Sequence, residues 1–165
     1  MKVWAYLDPN TNKVCCALLQ ESVPPDVSVL VKFELESPSQ IQDIIYDGVS
    51  IRLKTLDEKL REKKVELQEL KNRKLAGVLA KTDYVIIKLN DLKMQLDAGA
   101  ITSDVYNAEF QKYQPILQTR LNIRKWNDDI ETRIQNATTL DELEQIKKEI
   151  ISYTEQFKEV SSFEV

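Results

Sequence analysis

The apolar residues of this chain change their period once, at Thr55, and that change constrains the fold more than any other feature of the sequence. Before it they alternate. Val3, Ala5 and Leu7 interleave with Lys2, Trp4 and Tyr6, while Val27, Val29, Val31, Phe33 and Leu35 interleave with Ser28, Leu30, Lys32 and Glu34, as strands with one buried face require. After Thr55 they recur every three or four positions, the spacing of helices. The expected class is α+β: a small antiparallel β domain over 1–54, then a helical region over 55–161 with long capped helices and short coiled-coil-like seams. Residues 162–165 carry no period and are expected to fray.

Punctuation divides the first region into hairpins. Asp8-Pro9-Asn10-Thr11-Asn12 supplies turn chemistry between the first strand and the apolar run over 14–19, and Pro24-Pro25-Asp26 precedes the second alternating stretch. Ser37-Pro38-Ser39 ends that stretch. Residues 44–46 and 49–53 then flank Asp47-Gly48, a pair suited to a type I′ turn.

The helices announce their ends. Thr55-Leu56-Asp57-Glu58 and Thr139-Leu140-Asp141-Glu142 are both capping boxes, in which the Thr hydroxyl accepts from the third helical amide and the Glu reaches back to the cap. Thr82-Asp83 continues or restarts a helix carrying Tyr84, Ile87, Leu89, Leu92 and Leu96, and Gly99 offers a left-handed end before Thr102 caps the next one. Phe110, Tyr113, Leu117, Leu121, Trp126, Ile130 and Ile134 form its apolar face, and Pro115 predicts a break or kink near Gln114. In the first helix Leu56, Leu60, Lys63, Leu67, Leu70, Lys74 and Gly77 hold an imperfect seam. The last helix, expected to run to about Ser161, has a cleaner one in Leu143, Ile146, Ile150, Tyr153, Phe157 and Val160. That seam packs either on residues 56–75 of the same chain or on a partner, a homo-oligomer through the helical seams being one form of the second.

Composition removes most chemistry. There is no histidine, and 27 acidic residues outweigh 23 basic ones, so histidine-based catalysis, His-ligated zinc and phosphate-backbone binding are all disfavoured. The glycines, Gly48, Gly77 and Gly99, are too scattered for a phosphate loop. Cys15 and Cys16 are adjacent and read as a tolerated apolar pair rather than a disulfide. Asp57-Glu58, Asp128-Asp129 and Asp141-Glu142 are the remaining acid/base candidates, and helix-start electrostatics or a charged helix surface accounts for each. Lys59, Arg61, Lys63, Lys64, Lys71, Arg73 and Lys74, interleaved with Glu62, Glu66 and Glu69, read as a solvated helix of alternating charge rather than a nucleic-acid surface. No apolar run approaches a bilayer span and no secretory leader is read. A non-enzymatic binding protein without cofactor or metal is the expectation.

Residues 79–88, Leu-Ala-Lys-Thr-Asp-Tyr-Val-Ile-Ile-Lys, followed by Tyr113-Gln114-Pro115-Ile116 and the Arg-rich stretch 120–127, resemble a module of tailed-phage proteins. It recurs in small tail proteins of the XkdW-like kind and in tail fibre assembly proteins. The leader resembles theirs as well, through Pro38-Ser39-Gln40, Tyr46-Asp47-Gly48 and Lys54 to Leu60. This chain departs from the module in a longer 91–100 stretch and in its Trp126-Asn127 pair. The resemblance implies a tail-associated protein that binds a tail fibre or baseplate protein, in the host cytoplasm during assembly and then in the virion tail, or a fibre chaperone absent from the particle. A cellular coiled-coil adaptor is the reading from another class. Candidate contact residues are Trp4, Tyr6 and Leu30 on the β domain, with burial beneath the first helix as the alternative, and Leu143, Ile146, Ile150, Tyr153 and Phe157 on the last helix. Within the Thr-Asp-Tyr triplet, Thr82 is expected to cap and Tyr84 to anchor the helix in the core.

Overall fold

The computed structural model describes residues 1–157 and divides into two compact units, Met1–Lys59 and Leu60 onward. The class is α+β, with the division inside the first turn of a helix.

In the first unit β1 (Lys2–Leu7) is the centre of a three-stranded antiparallel sheet, between β2 (Val14–Ala17) and β3 (Leu30–Glu34). Its register sets Val3 beside Phe33, Ala5 beside Val31 and Cys16, and Leu7 beside Val14. Val3 and Ala5 are fully buried there, under Leu35 and under Ile44 and Ile51 of a second hairpin, β4 (Ile44–Tyr46) and β5 (Ile51–Leu53). The alternation over 27–35 pairs only from Leu30, because β1 ends at Leu7 and the chain beyond it turns away; Leu7 N–H still donates to Val29 O. Between β3 and β4 lies a 3-10 helix, Pro38–Asp43, started by a Ser37/Gln40 capping box too short to show as a period.

The second hairpin corrects the turn assignment. Asp47 N–H donates to Ser50 O, so Gly48 and Val49 are the central pair, and Gly48 has φ +94° while neither Asp47 nor Val49 has a positive φ. A type I′ turn needs positive φ at both central residues. Glycine at the first central position alone is the type II′ signature.

The second unit continues α1 (Leu56–Ala80) into α2 (Asp83–Asp97), α3 (Ser103–Asn136) and α4 (Leu140–Glu155). Both capping boxes form: Glu58 N–H donates to Thr55 Oγ1 at 3.3 Å and Glu142 N–H to Thr139 Oγ1 at 3.2 Å, each returned by the Glu carboxylate. Thr102 caps α3, and α2 ends as expected at Gly99, φ +72°, with Ala100 N–H to Gln95 O and Gly99 N–H to Leu96 O.

Buried side chains show that α1 and α2 together run antiparallel along α3. Leu67 meets Ile130 and Ile134, Leu75 and Val78 meet Ile123, and Val85 and Leu89 meet Tyr113 and Ile116. α4 covers only the α1 end of this pair, through Leu143, Ile146 and Ile150. The seam of the last helix is therefore internal. It is not a free partner surface, since these three side chains are at most 4% exposed within one chain. The expected helix end near Ser161, the seam position Val160 and the tail 162–165 lie outside the described residues.

Four helical readings need correction. Of the break or kink expected near Gln114, the break does not occur: α3 runs for 34 residues through Pro115. Pro115 lies on the exposed face, where water can serve the carbonyl its ring leaves unpaired, while buried Tyr113 and Ile116 hold the helix on either side. The buried line of α3 is Tyr113, Ile116, Arg120, Ile123, Ile130 and Ile134, and Leu121 is 50% exposed. In α1 the line passes through Leu67, Lys71, Leu75 and Val78, leaving Gly77 exposed; in α2 it is Val85 and Leu89, with Ile87 70% and Tyr84 44% exposed. Tyr84 is thus no core anchor.

Candidate functional site

The strand register brings Trp4, Tyr6 and Leu30 onto one face of the sheet. Trp4 sits between Ala17 and Lys32, and Tyr6 between Cys15 and Leu30, so the face opposite the core is a platform of two aromatic rings with small and aliphatic neighbours. Trp4 and Tyr6 are half-buried and Leu30 is 41% exposed. None of the three is buried. Lys32 Nζ lies 5.5 Å from the Trp4 ring centroid, a cation–π contact, and Lys2 pairs with Glu34 at the same end, which gives the platform a charged rim. Desolvation, then the neighbouring Cys15 and Asp8, raise the Tyr6 phenol above its ordinary pKa, so it remains a neutral hydroxyl at physiological pH. Cys15, Ala17 and Lys32 are not among the contact residues expected from the sequence. Only the pairing register, which sequence alone does not fix, places them there.

The residues on the last helix divide. Leu143, Ile146 and Ile150 are core. Tyr153 stacks on Trp126 with centroids 3.9 Å apart, Phe157 meets Tyr153 edge-on at 5.4 Å, and both remain half-buried, so this aromatic trio closes the end of the α1–α3–α4 core.

One carboxylate of each pair, Glu58, Asp129 or Glu142, is held by structural partners. Glu58 takes both ends of the Arg52 guanidinium at 2.8 Å, and Asp47 takes Arg52 Nε at 2.7 Å together with the amides of Val49 and Ser50. These contacts lower both acids to about 2: Glu58 chiefly by the Arg52 bond and then the Thr55 amide, Asp47 chiefly by the Ser50 amide and then Arg52. Glu142 is lowered by the amides of Thr138 and Thr139, and Arg133 reaches Asp129 and, more closely, Glu149.

The basic cluster of α1 is likewise broken up. Lys59 pairs with Asp43, Lys63 with Glu66, and Lys64 donates to Gln135 O. Lys71 is 1% exposed and reaches Glu131 Oε2 at 3.1 Å. The alternating charge of α1 predicts a solvated lysine here, and the fold buries it instead. Arg120, 8% exposed, donates to Leu79 O and Asp83 Oδ1 and to Thr82 Oγ1. Thr82 turns its own hydroxyl back to Leu79 O and so does not cap α2. The two segments that carry the phage resemblance thereby touch, through Asp83 and Arg120.

Among the described residues no helix is long and apolar enough to cross a membrane, and no group of three His, Cys, Asp or Glu side chains is placed to hold a metal ion. In comparisons with known proteins the chain matches no family model, and no curated protein or solved structure shows significant similarity to it.

Proposed function

We propose that this chain is a non-enzymatic, tail-associated protein of a tailed phage or prophage that binds a tail fibre or baseplate protein as a structural part of the tail. The observation that carries the binding mode is the open platform of Trp4, Tyr6 and Leu30 with its Lys32 and Lys2/Glu34 rim. Aromatic rings supply large contact area at low entropic cost, and a charged rim orients the partner. The particle setting rests on the resemblance of residues 79–88, 113–116 and 120–127. A fibre chaperone that leaves before the particle matures is the second reading, since a modest apolar patch suits release as well as retention.

Mass spectrometry of purified tail particles tests this. A fixed ratio of chain to fibre protein supports a structural role. Absence from particles with recovery on fibre protein makes it a chaperone, and absence from both favours a cellular coiled-coil adaptor. Leu30→Glu, on an exposed position, should leave the fold intact and remove the chain from its partner.

A further inference from the structure

We propose that the outward ridge of α1 formed by Val65, Glu69, Arg73 and Gly77 is a self-association surface, on which a second copy of this chain crosses antiparallel. The four residues are spaced by one helical turn and form a single i, i+4 ridge, all exposed. The ridge is self-complementary. Glu69 and Arg73 lie equally far from position 71, as do Val65 and Gly77. A two-fold axis at that level sets Glu69 of each copy on Arg73 of the other and seats each Val65 on the opposite Gly77.

Three features of the ridge suit a second copy. Val65 is 55% exposed although most apolar residues of α1 face the core. Glu69 and Arg73 make no hydrogen bond or ion pair among the described residues, while Lys59, Lys63, Lys64 and Lys71 of the same helix each have one. Gly77 is helical, so no left-handed backbone demands glycine, and a Cβ built there meets nothing within 4 Å. Glycine weakens a helix interior, and here, where it borders a groove shared with Thr154 and Phe157, it leaves an open surface on which a neighbouring side chain can sit.

Ridges of this spacing cross at about −50°. One such crossing buries less than the roughly 1,000 Å² of a permanent interface, so the dimer is weak and concentration-dependent. This inference is independent of the tail-protein reading.

Sedimentation equilibrium of the full chain, from micromolar to millimolar, tests it. The wild type should move toward twice the monomer mass. Glu69→Arg and Arg73→Glu should each weaken association at least about tenfold by facing like charges across the axis, and the double swap should restore it. Gly77→Leu should keep the helical circular dichroism of the wild type, since its Cβ meets nothing within 4 Å, yet abolish the dimer by filling the place of the opposite Val65. A monomer at every concentration, or a dimer indifferent to the single reversals, overturns the proposal.

Discussion

The guanidinium of Arg120 bridges two helix ends: Nη1 is 3.0 Å from Leu79 O, in the last turn of α1, and 2.9 Å from Asp83 Oδ1, in the first turn of α2. An opening carbonyl, the Thr82 hydroxyl and a carboxylate thus share one buried cation at a break that contains neither glycine nor proline.

Arg120→Met should therefore cost the helical unit about 2–4 kcal/mol, since it strips a partner from buried Thr82 and from Leu79 O while changing little volume. Urea denaturation followed by Trp126 fluorescence reads it. A loss below about 0.5 kcal/mol would show that the break holds without the arginine.

Lys71 and Glu131 should respond with opposite signs. Lys71→Met replaces a buried ammonium by an apolar chain of similar length among Leu67 and Leu75, and should be neutral or stabilising by about 1–2 kcal/mol. Glu131→Ala leaves that ammonium unpaired. Because the glutamate side chain is 41% exposed and water can partly replace it, the expected loss is only about 1 kcal/mol. Melting curves of the two variants, run side by side, check the ordering.

Acid should weaken the β unit in a defined window. Asp47 and Glu58 have folded pKa values near 2, below the ordinary carboxylate value of about 4. Their contribution is complete above pH about 4 and is lost as pH falls toward 2, when both become protonated. Trp4 fluorescence follows this unit during an acid titration. Arg52→Gln should flatten the dependence, and an identical profile would mean that the Arg52 contacts are not maintained in solution.

Ile150→Asp places an unpaired carboxylate in a fully buried position and should unfold the helical unit, costing about 4 kcal/mol or more, without altering stoichiometry in any state that remains folded. Circular dichroism with light scattering reads both. A folded chain of lower mass would return the α4 seam to an intermolecular role.

Gly48→Val should destabilise the β4–β5 hairpin by about 1–3 kcal/mol, because a β-branched side chain resists φ +94° even though the space around it is open. An unchanged thermal transition of the β unit would count against the turn.

Period and caps made the class, both hairpins and the two capping boxes legible, because these depend on neighbours within a few residues. The failures share a cause. In α3 the buried line admits Arg120 and skips Leu121, and in α1 it admits Lys71 and skips Gly77, so reading apolar letters alone chose the wrong rows. Long polar side chains can occupy core rows when a partner helix supplies an acceptor, and that partner is invisible in local sequence. Half of the candidate site was legible for the same reason: alternation put Trp4 and Tyr6 on one face, but only the register added Cys15, Ala17 and Lys32. From Leu143 to Phe157 the α4 stripe is a seam, and its partner is the chain itself.

The shared phase of α1 and α2 limits how such a chain can change length. Leu67 and Val85, like Lys71 and Leu89, stand about five whole turns apart, so both helices offer the same side to α3 despite the break between them. α3, about 50 Å long, acts as a ruler for the pair. An insertion in α2 that is not matched by one of equal length before Tyr113 would shift every contact beyond it. The hairpin arm can therefore grow or shrink only by compensated blocks near the Gly99 end, while any indel near Arg120 would have to be lethal to the fold or corrected on the opposite helix.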